Sequence, residues 1–226
     1  MCRPEKGFSV LWTRIGLTIG VLAMYSPPTS STATADEVVL VEEGRLTDQW
    51  ETKGNWIVGR DGVVRLQPRP GESGWRRFDA YLWSTKKFSD LEIKFDYMVE
   101  PAGNSGFYFH VGDKSKPVQT GVEVQLVDSH SRKSSPELND HDSGGIIPGI
   151  PPTKNAAKPS HEWNRVKVTV AKGKLTVVLN GQVVNSISLD HPNIKDRPMS
   201  GFVGFQDHGM PLALRNIRLR ALQGDE

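Results

Sequence analysis

Cysteine is almost missing from this chain of 226 residues, which holds a single copy, Cys2. Cys2 precedes an apolar stretch, Ile15 to Tyr25, that follows Arg3, Lys6 and Arg14 and runs on to Ala33-Thr34-Ala35. Basic residues, then an apolar run, then a small-x-small site make the pattern of a secretory signal peptide, with cleavage expected after Ala35. The run is shorter than the roughly 20 residues that span a bilayer, and a lipoprotein cysteine would follow it rather than precede it. Residues 1–35 are therefore expected to be removed, and residues 36–226 to reach the periplasm or the cell exterior as one domain without a membrane anchor. A mature chain without cysteine excludes disulfide staples, thiolate zinc sites and cysteine nucleophiles.

A charge surplus is missing too. Of 28 basic and 26 acidic residues, three basic and one acidic fall in residues 1–35, which leaves 25 of each. Nucleic acid is not expected as a partner, because its binding draws on a basic excess that displaces counterions. Helix-period segments of useful length, internal repeats and low-complexity linkers are also absent. With 37% hydrophobic and 24% charged residues of mixed sign, the chain fits one globular domain and not a disordered one.

Short alternating runs fill the chain instead. In Leu91 to Val99 the residues Leu91, Ile93, Phe95, Tyr97 and Val99 face one way, and Glu92, Lys94 and Asp96 face the other, predicting a strand with one packed and one wet face. Lys174 to Ser188 holds two β-rich runs around Asn180-Gly181, the dipeptide favoured where both turn positions need positive φ, and predicts a hairpin. Further strands are expected near Asn55–Val58, Gly62–Gln67, Ala80–Ser84, Ser105–Val111, Gly121–Val127, Trp163–Val170, Gly201–Gln206 and Leu212–Leu222. The fold class is all-β, as a two-sheet sandwich or jelly roll. Asp128 to Glu162 breaks the rhythm with prolines, Gly144-Gly145 and the cluster Asn139-Asp140-His141-Asp142. Long strandless connections are often functional. Asp140-x-Asp142-x-Gly144 is a weak echo of a calcium loop without its closing Glu.

Three strands each offer a polar pair on one face. Period two sets Glu123 beside Gln125, Tyr108 beside His110, and Gln206 on the side of His208. If these strands are neighbours, they build a floor with a carboxylate, two imidazoles and two amides, suited to a polyhydroxylated ligand and to acid–base chemistry. His130, His141, His161 and His191 stand in polar or turn-like surroundings and are assigned no chemistry.

The blocks Gly103-Asn104-Ser105-Gly106-Phe107-Tyr108-Phe109, Gly121-Val122-Glu123-Val124-Gln125-Leu126-Val127-Asp128, Ala156-Ala157-Lys158-Pro159 through Glu162-Trp163-Asn164, Leu179-Asn180-Gly181, and Gln206-Asp207-His208-Gly209 before Arg215-Asn216-Ile217 occur in this order. In them the chain resembles the 3-keto-disaccharide hydrolase domain family over roughly Leu46 to Leu222. The resemblance implies a concanavalin A-like jelly roll that holds its ligand on the concave sheet, with substrates that are glycosides oxidised to a ketone at C3. Many members carry Arg where His110 stands, and Gly-Ala-(Leu/Ile)-Tyr where this chain has Gly144-Gly145-Ile146-Ile147.

A C3 ketone acidifies the C2 proton, so a base that removes it permits expulsion of the C1 substituent, and water then completes a net hydrolysis. On the resemblance, Glu123 and His208 are the candidates for proton transfer, with Gln125 and Gln206 orienting the sugar and Lys154 and Lys158 able to approach it from the irregular loop. A divalent metal is an alternative way to hold the ketone oxygen, with Glu123, His208, His110 and Asp128 as its candidate ligands. The same sandwich also suits a non-catalytic carbohydrate-binding module, with Trp75 and Tyr81 stacking on sugar faces, or a secreted structural protein.

Overall fold

The computed structural model describes Met1 and residues 37–42, 44–131 and 137–222. Cys2, the signal pattern and the cleavage site after Ala35 lie outside the described residues. The strands in chain order are β1 (Glu37–Val39), β2 (Val41–Glu42), β3 (Arg45–Leu46), β4 (Trp50–Glu51), β5 (Trp56–Val58), β6 (Val64–Leu66), β7 (Leu82–Phe88), β8 (Leu91–Val99), β9 (Asn104–Val111), β10 (Val122–Val127), β11 (Ile146–Ile147), β12 (Asn164–Ala171), β13 (Lys174–Leu179), β14 (Gln182–Ser188), β15 (Gly201–Phe205) and β16 (Leu212–Ala221). One short helix, α1 (Pro117–Thr120), and a 3₁₀ turn at Phe78–Ala80 complete the regular structure of the described residues. None of the helices there is long and apolar enough to cross a membrane.

Two sheets carry the fold. One runs β14-β13-β12-β8-β16-β6-β5, with β1 also paired to β16, and the other runs β11-β10-β9-β15-β7-β4. This is the expected two-sheet, concanavalin A-like jelly-roll sandwich. The described residues from Glu37 onward form one compact unit. Leu91, Ile93, Phe95, Tyr97 and Val99 of β8 meet Phe107 and Phe109 of β9, Val122, Val124 and Leu126 of β10, and Phe205 of β15 in a single buried cluster. At its centre Phe95 stands edge-on to Phe205, with ring centroids 5.0 Å apart. Truncating such an aromatic to alanine costs about 3–5 kcal/mol. The Asn180-Gly181 hairpin forms as expected, with φ of 50° and 81° at its two turn residues.

Two expectations from simple alternation fail at bulges. Between β9 and β15 the register shifts, so that Tyr108 faces Gly204 and Val111 faces Phe202. His110 takes up the extra residue with φ of 53°. Beyond it the parity of β9 reverses, and Val111 packs with Tyr81, Trp83 and Tyr108 rather than with Phe107 and Phe109. A second shift, between Arg215 and Arg218 of β16, centres on Asn216, whose φ is 55°. There Asp96, expected on a wet face, is 2% exposed and accepts hydrogen bonds from Arg165, Arg215 and Asn216. Ala80 and Tyr81 fall outside β7, which instead continues to Phe88.

Candidate active site

The face of the six-stranded sheet turned away from the core holds a cavity of about 260 Å³, lined by Trp75, Asn104, Tyr108, Val118, Glu123, Gln125, His141, Ile147, Gln206 and His208. The strands deliver the floor by alternation. Val122, Val124 and Leu126 of β10 are buried in the core cluster, which turns Glu123 and Gln125 to the cavity. Pairing of β9 with β10 sets Tyr108 opposite Glu123 and Gly106 opposite Gln125. Gln206 is fixed at the end of β15 by its N–H to the Gly106 carbonyl, at 2.8 Å, and by Ser105 Oγ on its own carbonyl, at 2.8 Å.

Loops close the cavity. The Gly144–Ile147 stretch binds the edge of β10, with Gly144 N–H on Gln125 O and Gln125 N–H on Gly145 O, before Ile146 and Ile147 pair with Val124 and Glu123. This brings Ile147 and His141 over the floor. On the opposite side Arg77 reaches across to Asp207, which is 0% exposed, and both carboxylate oxygens accept from Arg77 at 3.1 Å. A second nitrogen of Arg77 meets Glu72 at 2.9 Å, and Gly209 N–H donates to Asp207 at 2.8 Å. The latch ties the segment bearing Trp75 to the turn bearing His208.

With these walls the floor is not wet. Glu123, Gln125 and Gln206 are 6%, 2% and 4% exposed. Burial pushes the Glu123 carboxyl up to about 7, against the opposing effect of a Tyr108 hydroxyl that donates to its Oε2 at 2.5 Å. Burial and the neighbouring carboxylate drive the Tyr108 phenol well above its usual range, so it stays a donor. Gly106 leaves the space the carboxyl occupies, because a Cβ there would collide with the Glu123 carboxyl. Gln125 gives its Nε2–H to Asn104 Oδ1 at 3.1 Å. Three buried polar atoms on the cavity residues have no protein partner: Gln125 Oε1, Gln206 Oε1 and His208 Nδ1. Unmet buried acceptors are costly, and a ligand rich in hydroxyl donors would satisfy them. No Lys or Arg is among the lining residues.

Glu123, Gln125, Tyr108, Gln206 and His208 thus share one cavity, and four other expectations need correction. His110 does not reach it. The bulge turns its ring away, and Nε2–H donates to Ser89 O at 2.7 Å. Lys154 and Lys158 are exposed and outside the lining, because the stretch that carries Lys154 is held to β14 of the other sheet through Thr153 N–H on Val184 O. Tyr81 is fully buried with its hydroxyl on Trp75 O, so it offers no face to a sugar. Asp128 caps a turn, accepting from the N–H groups of Ala102, His130 and Ser131.

The metal alternative is tested by the same geometry. Of its four candidate ligands only Glu123 and His208 face the cavity, and among the described residues no three His, Cys, Asp or Glu side chains are grouped to hold an ion. The Asp140–Asp142 loop spends its carboxylates internally, Asp140 on Gly149 N–H and His141, Asp142 on Asn139 N–H. These donors do not fit a metal, and no step is routed through one. Asn104 and His141 were missed as lining residues. Asn104 was legible, since it shares parity with Tyr108 on β9, but His141 sits on a loop whose path no periodicity reveals. A larger cavity, about 630 Å³, lies between Glu51, Arg76, Trp83 and Lys114. Its Lys53–Asp79 and Lys114–Glu51 pairs are satisfied within it, so the smaller, unsatisfied cavity is the better candidate.

The 3-keto-disaccharide hydrolase of Bacteroides thetaiotaomicron is 24% identical over 83% of this chain and 79% of its own length. The crystal structure of a provisional glycosyl hydrolase from Parabacteroides distasonis ATCC 8503 superposes with a TM-score of 0.69 at 20% identity, over 83% of this chain and all of the other. The carbohydrate-binding module CBM66 of Bacillus subtilis follows with 0.54 at 15% identity, over 76% and 96% of the two chains. At these identities the solved structures speak for the fold. The family model described as the 3-keto-alpha-glucoside-1,2-lyase-like domain matches residues 36–220, and a match of that extent places the chain in that family.

Proposed function

We propose that the protein is a glycan-degrading enzyme that cleaves 3-keto-glycosides by elimination and hydration, with net hydrolysis. The observation that carries this reading is a buried carboxyl group poised near neutral pH in a cavity where two glutamine oxygens and an imidazole nitrogen have no protein partner. A base is most effective when its pKa lies near the working pH, and Glu123 meets that condition.

The ionised Glu123 takes the C2 proton of a sugar bearing a C3 ketone. The electron pair passes to the ketone oxygen as an enolate, whose charge a hydrogen bond from a cavity amide N–H would offset. Collapse of the enolate forms the C1–C2 double bond and breaks the bond from C1 to the leaving oxygen, which takes a proton from His208. Water then adds across the double bond: His208 takes its proton as the hydroxyl joins C1, and Glu123 returns its proton to C2, which regenerates the 3-keto sugar and both side chains. Gln125 and Gln206 accept from ring hydroxyls and fix the pose. Support for the substrate comes from family membership and from the named activity of the Bacteroides thetaiotaomicron relative.

Incubation with a 3-keto-glucoside and with the same unoxidised glycoside is the test. Release of aglycone from the first alone is expected. Binding of both with turnover of neither would make the domain a carbohydrate-binding module. Export without a lipid anchor belongs to the same proposal and rests on the pattern of residues 1–35. Fractionation that recovers acylated protein from a membrane would overturn it.

A further inference from the structure

A glycoside has two halves, and the cavity over Glu123 accounts for one. At about 260 Å³ it falls below the roughly 300–1,000 Å³ of pockets that enclose a whole ligand. The larger cavity, about 630 Å³, lies within that range. Trp50, Leu82, Val203 and Phe205 point into the core, which turns Glu51, Trp83 and Gly204 to the same outward face as Glu123. The ladders set these residues in line. Ile147 pairs with Glu123, Glu123 with Tyr108, Tyr108 with Gly204, Gly204 with Trp83, and Trp83 with Glu51, one row across all six strands. Ile147, Glu123 and Tyr108 line the smaller cavity, and Trp83 and Glu51 line the larger. Three strand spacings, about 14 Å, separate Glu123 from Trp83. A Cβ on Gly204 would collide with the Trp83 indole, so the missing side chain lets that ring approach Tyr108, with centroids 6.1 Å apart. Trp75 of the smaller cavity likewise packs on Phe78 of the larger at 5.9 Å. The two cavities therefore share one aromatic wall.

Their polar chemistry differs. The smaller cavity leaves Gln125 Oε1, Gln206 Oε1 and His208 Nδ1 without a protein partner, whereas none of the buried unpartnered atoms of the described residues belongs to the larger. There Thr52 Oγ1 donates to Ala80 O and accepts from Gly54 N–H, both at 2.9 Å. Lys114 donates to Glu51 and to Ser84 O, both at 2.7 Å, and Lys53 pairs with Asp79 at the rim. Ring surface comes from Phe78 and Trp83, both packed on Tyr81 and tied together by Trp83 Nε1–H on Phe78 O at 2.8 Å. Building on the proposed reaction, we infer that the larger cavity receives the leaving group of the glycoside, and that this group is an aromatic ring rather than a second sugar. A sugar loses water from its hydroxyls on entering and needs partners for them, but the polar groups here are turned to one another. An aromatic ring needs apolar surface and the edges and faces of other rings.

The test compares benzyl glucoside, methyl glucoside and a glucosyl-glucose disaccharide, each as its 3-keto derivative for turnover and unoxidised for binding by calorimetry. Benzyl and methyl alkoxides leave with similar ease, so a difference between them reads contact with the ring. The benzyl substrate is expected to exceed the methyl one in kcat/KM by at least about tenfold, with the disaccharide nearer to the methyl substrate. Phe78→Ala removes ring surface, and Ser115→Trp fills the cavity from an exposed lining position. Each should bring the benzyl-to-methyl ratio to within about threefold. If Phe78→Ala does not fold, Ser115→Trp carries the test, since the side-chain bond it breaks is a hydroxyl contact with Asp113 on the surface. Equal handling of the benzyl and methyl substrates, a disaccharide preferred over the benzyl substrate, or a preference that survives Ser115→Trp would overturn the inference. Calorimetry keeps it apart from the reaction. Tighter binding of unoxidised benzyl glucoside than of methyl glucoside, lost in Ser115→Trp, with no 3-keto-glycoside turned over, would uphold the aromatic site and overturn the proposed chemistry.

Discussion

The two outward faces of the sandwich obey the same rule and end in opposite chemistry. β10 turns Glu123 and Gln125 away from the core just as β8 turns Glu92, Lys94 and Asp96, and the sequence marks both as wet. On the six-stranded sheet, Trp75, Ile147 and His208 wall a cavity over the strand, and burial there pushes the Glu123 carboxyl up to about 7. On the eight-stranded sheet the strand stays open, and its acids are held by Arg165, Arg215, Asn216, Lys94 and Arg220. Alternation decides which face a side chain joins. Whether that face stays open or becomes the floor of a cavity is decided by loops, which alternation does not describe.

The contrast is broken most severely by Glu123→Gln and His208→Ala. Each should lower turnover of a 3-keto-glucoside by about 10²- to 10⁴-fold, while Lys167→Ala on the open face leaves it unchanged. Steady-state kinetics checks this, and less than threefold loss in both cavity variants would show that the wrong residues are assigned. Asp96→Ala is the converse. It removes the shared partner of two arginines that themselves reach solvent, and should cost about 1–2 kcal/mol in denaturant unfolding, with turnover per folded molecule retained.

Stability against pH separates the faces further. The folded protein holds a proton on Glu123 that the unfolded chain releases at its ordinary carboxylate value of 4.5. Stability from this group is therefore complete below pH 4.5 and is lost as pH rises through about 7, by about 3 kcal/mol in total. Glu123→Gln should abolish that loss, so the variant gains on the unsubstituted protein at pH 8 and matches it at pH 4, as melting curves at the two pH values will show. The activity trend runs the other way, kcat/KM rising through pH 7 as the base ionises. Gly106→Ala is the mildest case. A methyl group displaces the Glu123 carboxyl and should lower kcat about tenfold with little effect on KM.

Much of this was legible beforehand. Period two placed Glu123, Gln125 and Tyr108 on one face, and Asn180-Gly181 fixed a hairpin, because both signals are local in the chain. His110 was misread because a bulge inserts one residue and reverses parity beyond it, and the lone clue was a positive φ that no sequence spells out. Lys154 was misplaced because a proline-rich loop has no period from which to read its direction. Asp207, quoted only within its block, was given no role, since its partner Arg77 lies 130 positions away.

That last pair also sets how the cavity can be lost. β10 raises Glu123 and Gln125 through the backbone ladders it shares with β9 and β11. The latch from Arg77 to Asp207 is a single pair of side chains across 130 positions, and segments held by few contacts open before the sheets that carry them. On gentle denaturation turnover should therefore vanish while circular dichroism still reports both sheets.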